Sequence, residues 1–182
     1  YRIGATDEIL PKLGKRGLYT STLFSYKRRL LEQISPALEM GRSFVQPKYQ
    51  RHHSPLMLLW KGIAKYVVRH PRYRMLFGPV SISNDYQSVS KQLLVAFLRQ
   101  NRRLPSLAQL VKAKSPPDFR PVRDWSPRAT SIVVRDLDEV DELIGEIEAD
   151  MKSVPVLLRQ YLKLNAVLLG FNVDPDFGDV LD

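Results

Sequence analysis

The stretch Pro36-Ala37-Leu38-Glu39-Met40-Gly41-Arg42-Ser43-Phe44-Val45-Gln46 sets one carboxylate and one guanidinium inside an otherwise apolar run. Leu38, Met40, Phe44 and Val45 suit a buried strand, and Glu39 and Arg42 interrupt it. Charges taken out of water are costly unless paired or used. The run therefore admits two readings, a structural ion pair or a pair kept for chemistry. Gly41 and Ser43 lie between and beside the charges, where a bulge or a close approach of backbone to a ligand is tolerated.

The residues that follow have the order of a crossover. A basic connector, Gln46 to His53, leads to Ser54-Pro55, which opens a helix with Ser as cap and Pro at its first position. Leu56, Leu59, Trp60, Ile63 and Val67 recur at helical spacing along one face. After Pro71, Arg74 to Ile82 reads as a second buried strand. Strand, basic loop, helix start and strand make a right-handed crossover whose helix N-terminus suits a phosphate.

A chain of 182 residues with 44% hydrophobic residues can bury one sizeable core, and the length points to a single domain, 1–182. Cysteine is absent, which removes disulfides, thiolate metal sites and a cysteine nucleophile. No apolar run reaches the ~20 residues of a membrane span, and no secretory signal is visible. The chain starts without Met, and Tyr1-Arg2-Ile3-Gly4 looks like the tail of a strand, as in an excised piece of a longer protein.

Charge is unevenly placed. Residues 1–128 carry 24 Lys+Arg against 7 Asp+Glu, a net of +17, and residues 129–182 carry 4 against 12, a net of −8. Such a basic first part favours an acidic partner: nucleic acid, an anionic bilayer or an acidic carrier protein.

Elsewhere the pattern is mostly structural. Thr6 to Gly17 reads as a polar, turn-rich surface segment and Leu18 to Phe24 as a strand or extended piece. Tyr26 to Ile34 reads as a helix with Leu30, Leu31 and Ile34 inward and Lys27-Arg28-Arg29 outward. Ser83-Asn84-Asp85 caps a helix running to about Gln100, with Val89, Leu93 and Phe97 on one side, and Pro105-Ser106 begins a shorter one to about Ala113. A Pro-rich connector at about 114–131 follows, with Ile132-Val133-Val134 as a brief strand after it. Asp136 to Lys152 is an acidic helix with Leu137, Val140, Ile144, Ile147 and Met151 near helical spacing. A further helix turns Leu158, Tyr161, Leu162 and Val167 inward, and Leu168 to Val173 reads as a strand. Asp174-Pro175-Asp176-Phe177-Gly178 is a turn before a last strand.

The motifs Glu39-Met40-Gly41-Arg42-Ser43-Phe44-Val45, Lys48-Tyr49-Gln50-Arg51, Leu59-Trp60-Lys61-Gly62-Ile63 and Leu76-Phe77-Gly78-Pro79-Val80-Ser81-Ile82 resemble GNAT-type N-acyltransferases of the ornithine-lipid synthase branch, a group often labelled hemolysins. The E-x-x-R-x-F pattern is also similar to the central strand of acyl-homoserine-lactone (autoinducer) synthases. The resemblance implies an α/β GNAT-like fold, a central mixed sheet flanked by helices, whose first strand and helix lie upstream of Tyr1. It implies transfer of an acyl group from a thioester to an amine. Glu39 would take the proton of the amine, and Arg42 would hold Glu39 in register or bind an acceptor carboxylate. Amides around Phe44 and Val45 would face the oxyanion. Gln50, Arg51, His52 and the helix start at Ser54 would cradle the phosphopantetheine arm, and His53 is an alternative base.

One departure bears on the donor. The CoA loop of this family is typically glycine-rich, whereas Gln50 to Pro55 contains no glycine. The expected donor is thus the acyl-phosphopantetheine of acyl carrier protein, with acyl-CoA as the other option and no permanently bound cofactor. The expected acceptor is an amine such as ornithine, or a lysolipid hydroxyl. The expected location is cytoplasmic, with peripheral contact to an anionic inner membrane, and no nucleic-acid partner.

The rival reading is a non-catalytic basic module for nucleic acid or membrane surface. It draws on the +17 first part and on Tyr49, Trp60, Tyr66, Tyr73 and Trp125 among basic residues. No metal site is expected. Phe177 stands where a calcium loop needs a ligand, and His52-His53 lacks a third partner at zinc spacing.

Overall fold

The computed structural model describes residues 2–41, 44–49, 54–120, 126, 129, 134, 136–150 and 152–182, with the side chain of Ser54 excepted. The described chain is a mixed α/β structure, consistent with a GNAT-like fold. It divides into two compact units: Tyr1–Thr22 with Tyr26–Pro79, and Leu23–Ser25 with Val80–Asp182.

The first unit is built on a mixed three-stranded sheet in the order β1-β3-β4, with β1 at Arg2–Ala5, β3 at Ala37–Gly41 and β4 at Met75–Phe77. β3 lies in the middle, antiparallel to β1 from Ala5↔Leu38 to Arg2↔Gly41 and parallel to β4 from Ala37↔Met75 to Glu39↔Phe77. A parallel pair requires a crossover, and α3, Ser54–Arg69, supplies it. β3 is buried at all five positions, and its alternation sorts two faces. Leu38 and Met40 pack with Ile63 of α3 and with Tyr73, backed by Trp60, Tyr66 and Val67. Ala37, Glu39 and Gly41 occupy the other face, where Gly41 lies against the Tyr19 ring. The β3–β4 ladder stops at Glu39↔Phe77. Directly beyond it, a Cβ on Gly78 would run into the Met40 carbonyl, so the close approach of the two chains there depends on glycine.

Helix α2, Arg28–Ile34, buries Leu30, Leu31 and Ile34 and leaves Lys27, Arg28 and Arg29 exposed, as its pattern predicts. Three other segments differ from the sequence reading. Thr6–Leu13 is a helix, α1, rather than a turn-rich segment. Pro11 removes one backbone bond from it, but Asp7 and Glu8 suit its first turn and Gly14 closes it at φ +59°. Tyr19–Thr22 is a 3₁₀ turn rather than a strand, and only Phe24–Tyr26 extends as β2. The strand expected through Ile82 covers only Met75–Phe77, with Met75 and Leu76 42% and 38% exposed. An edge strand has one side unpaired, which an apolar run alone does not reveal.

The second unit is mainly helical: α4 at Ser88–Asn101, α5 at Pro105–Ala108, α6 at Leu137–Ile147 and α7 at Val156–Lys163. Leu93, Leu94, Val95, Phe97 and Leu98 of α4 pack with Val140 and Ile144 of α6, Leu158 and Leu162 of α7, and Phe171. Asp136 caps α6 by accepting from the amides of Asp138 and Glu139 at 2.9 and 3.0 Å. Arg159 ties α7 to α6 through Asp138 and Asp141, each at 2.7 Å. The helix expected to reach Ala113 ends at Ala108, and Val111–Ala113 is a strand, β5, paired with β2. Strand β6 is only Val173–Asp174; it pairs antiparallel with β7, Val180–Leu181, across the expected Asp-Pro-Asp turn. Val167, expected inward, is 49% exposed. Trp125, Ile132 and Val133 lie outside the described residues.

Candidate active site

Glu39 sits at the last paired position of the β3–β4 ladder and is 3% exposed. Its side chain leaves the sheet on the face opposite Leu38 and Met40 and meets the 3₁₀ turn. Its Oε1 accepts from the Thr20 amide at 2.8 Å and from the Thr20 hydroxyl at 2.6 Å. Its Oε2 accepts from the Tyr19 amide at 3.0 Å. The amides at the start of a helical turn have no partner within the turn, so the carboxylate satisfies them while they satisfy it. A carboxylate offers about four acceptor positions, and these three donors leave capacity on Oε2. Gly4 lies on that side, where a Cβ would stand 3.5 Å from Oε2.

Tyr26 belongs to the same cluster. Burial lifts its phenol to about 12; hydrogen bonding with Thr20 pulls it back, and the Glu39 charge pushes it further up. Glu39, Thr20 and Tyr26 thus form one polar knot inside the first unit. A second knot closes the start of α1. The Tyr73 hydroxyl donates to Asp7 at 3.1 Å and receives from Arg72 at 2.6 Å, while Arg72 lies 3.4 Å from Asp7 and 3.8 Å from Glu8. Burial leads the causes that raise the Tyr73 phenol, and the hydrogen bond from Arg72 opposes it. This knot joins the start of α1 to the chain ahead of β4.

The other sequence-predicted site residues fare unevenly. Arg42, Gln50, Arg51, His52 and the alternative base His53 lie outside the described residues, as does the Ser54 side chain. The Ser54 backbone is placed, and it begins α3. Phe44, expected in a buried strand, is 70% exposed, and the described residues Phe44 to Gln46 have no regular structure. Val45 is half-buried in the same segment, just before a 3₁₀ turn at Pro47–Tyr49. Thr20 and Tyr26 were not singled out by the sequence reading. The density of hydroxyls in Thr20-Ser21-Thr22 was the available signal, since such residues favour turns over strands.

Of the aromatics invoked for a nucleic-acid surface, Tyr73 is 1% exposed, and Trp60 and Tyr66 back the core. Trp125 lies outside the described residues, which leaves Tyr49, 47% exposed. Among the described residues, no three of His, Asp and Glu stand close enough to hold a metal ion. Asp174 instead caps its own turn by accepting from the Asp176 amide at 3.0 Å. No helix among these residues is long and apolar enough to cross a membrane.

Comparison with known proteins bears on the first unit. Residues 1–61 match the acetyltransferase (GNAT) domain family, a span containing β1, the Thr20 turn, β3 and the first residues of α3. No curated protein and no solved structure is significantly similar to the chain. The family match supports a GNAT-type N-acyltransferase, and with it acyl transfer from a thioester donor such as acyl-CoA.

Proposed function

We propose that the protein is an N-acyltransferase that moves a long-chain acyl group from acyl carrier protein to an amine such as ornithine. On this reading residues 1–182 form one acyltransferase domain working in the cytoplasm. The observation that carries the proposal is Glu39, a buried carboxylate in the central strand, held by both oxygens, within the span that matches the GNAT family. An attacking amine must lose its proton, and a carboxylate fixed in direction is a suitable acceptor, directly or through water. Arg42 binds the acceptor's carboxylate as a two-pronged donor. Backbone amides at Phe44 and Val45 face the oxyanion. Gln50, Arg51, His52 and the start of α3 at Ser54 hold the phosphopantetheine phosphate. The glycine-free Gln50 to Pro55 segment and the basic first part favour an acidic carrier protein over free CoA as donor.

The test is to mix the protein with carrier protein bearing a long acyl chain and with ornithine, other amines or lysolipid, and to follow acyl release by mass spectrometry. Acylated amine is expected, and Glu39→Gln should lower kcat/KM by about a hundred- to ten-thousandfold at a temperature where circular dichroism shows it folded. Release to no amine overturns the reaction. Unchanged turnover in Glu39→Gln overturns the base.

A further inference from the structure

Helix α3 has two working faces. Leu56, Leu59, Trp60, Ile63, Tyr66 and Val67 form the half turned toward the sheet; Ile63 is buried and the others are partly so. At about 100° per residue, Met57, Lys61, Ala64 and Val68 fall within roughly 60° of one another on the opposite side. Leu58, Lys65 and Arg69 continue that surface. All seven are exposed, with Met57, Leu58 and Val68 at 59%, 64% and 79%.

Single exposed apolar residues are ordinary. Here three large ones share one helix face about 16 Å long, interleaved with three cations that have no ion pair among the described residues. The sequence from Ser54 to Arg69 contains no acidic residue.

We propose that this outer face of α3 docks on an anionic lipid bilayer. The helix lies along the surface rather than across it. Met57, Leu58 and Val68 enter the boundary between headgroups and chains, while Lys61, Lys65 and Arg69 extend their aliphatic stems over the apolar row and bring their charges to the phosphates. Charge complementarity selects the partner's sign, because the face carries cations alone. Its shape selects lipid over a folded acidic protein. A convex helix surface without a groove offers a protein little to fit, whereas a fluid bilayer needs no matching shape. The inference stands on this face alone and holds whether or not the protein transfers acyl groups.

Sedimentation with vesicles separates the outcomes. Vesicles of mixed phosphatidylglycerol and phosphatidylcholine should carry the protein down, phosphatidylcholine alone far less, and added salt should release it. The triple variant Lys61→Gln, Lys65→Gln, Arg69→Gln should lose roughly a hundredfold in partition, at about fivefold per cation. Met57→Gln with Val68→Gln should lose about tenfold or more. Both sets change only exposed side chains, and circular dichroism checks that each variant is folded. Failure of the unaltered protein to bind anionic vesicles overturns the proposal. So does binding that both variant sets leave intact, or capture of this face by an acidic carrier protein with none by vesicles.

Discussion

Glu39 in the first unit and Glu148 in the second are both buried, at 3% and 4% exposure, and both serve the start of a helical segment. Glu148 follows α6 and accepts from the amide of Gln87, the residue just before α4, at 2.8 Å. Its surroundings explain it: it joins two helix ends beside a large apolar cluster, and an anion is favoured at a helix N-terminus. Glu39 meets two amides and a hydroxyl from a mid-strand position in the middle of a sheet, where nothing in strand geometry calls for a charge. Burial of a carboxylate is therefore not by itself a sign of chemistry. The element that carries it and the surrounding polar network separate the two cases.

The largest effect is expected in the second unit's core. Leu94 is fully buried, so Leu94→Ala should cost about 2–5 kcal/mol, read as a lower urea midpoint. A cost below about 1 kcal/mol would mean that apolar packing does not dominate that unit.

The glutamates come next. Glu39→Gln and Glu148→Gln should each destabilise by about 1–3 kcal/mol, since each points an amide nitrogen toward a backbone donor or leaves a donor short of its acceptor. Only Glu39→Gln should also lower acyl transfer, by about a hundredfold or more. Equal losses of turnover in both variants would erase the distinction between them.

A pH titration sharpens the picture of the Glu39 knot. The Tyr26 phenol rises from the ordinary 10.0 to about 12 in the folded chain, so the folded state holds that proton more tightly than the unfolded one. Its contribution is complete below pH 10 and is lost as pH climbs toward 12, a fall on the order of 2 kcal/mol. In Tyr26→Phe this part of the stability curve should flatten. A curve identical to that of the unaltered protein would remove Tyr26 from the knot. The smallest effect is expected at Arg28–Glu32, a 2.7 Å pair with both side chains exposed on α2. Arg28→Ala should shift stability by less than about 0.5 kcal/mol.

Sequence pattern alone determined the elements whose signal is local. Leu56 to Val67 repeat at helical spacing, Leu30, Leu31 and Ile34 mark one side of a short helix, and Leu137, Val140, Ile144 and Ile147 mark α6. It also singled out Glu39 as a charge that a strand must account for. Only the tertiary structure decided what accounts for it. Thr20 and Glu39 are 19 positions apart, and no periodicity or composition links a 3₁₀ turn to the side chain of a distant strand. The exposure of Phe44, Met75 and Leu76 was likewise invisible in sequence, because apolar character states a preference for burial while the partners that the fold brings together grant or withhold it.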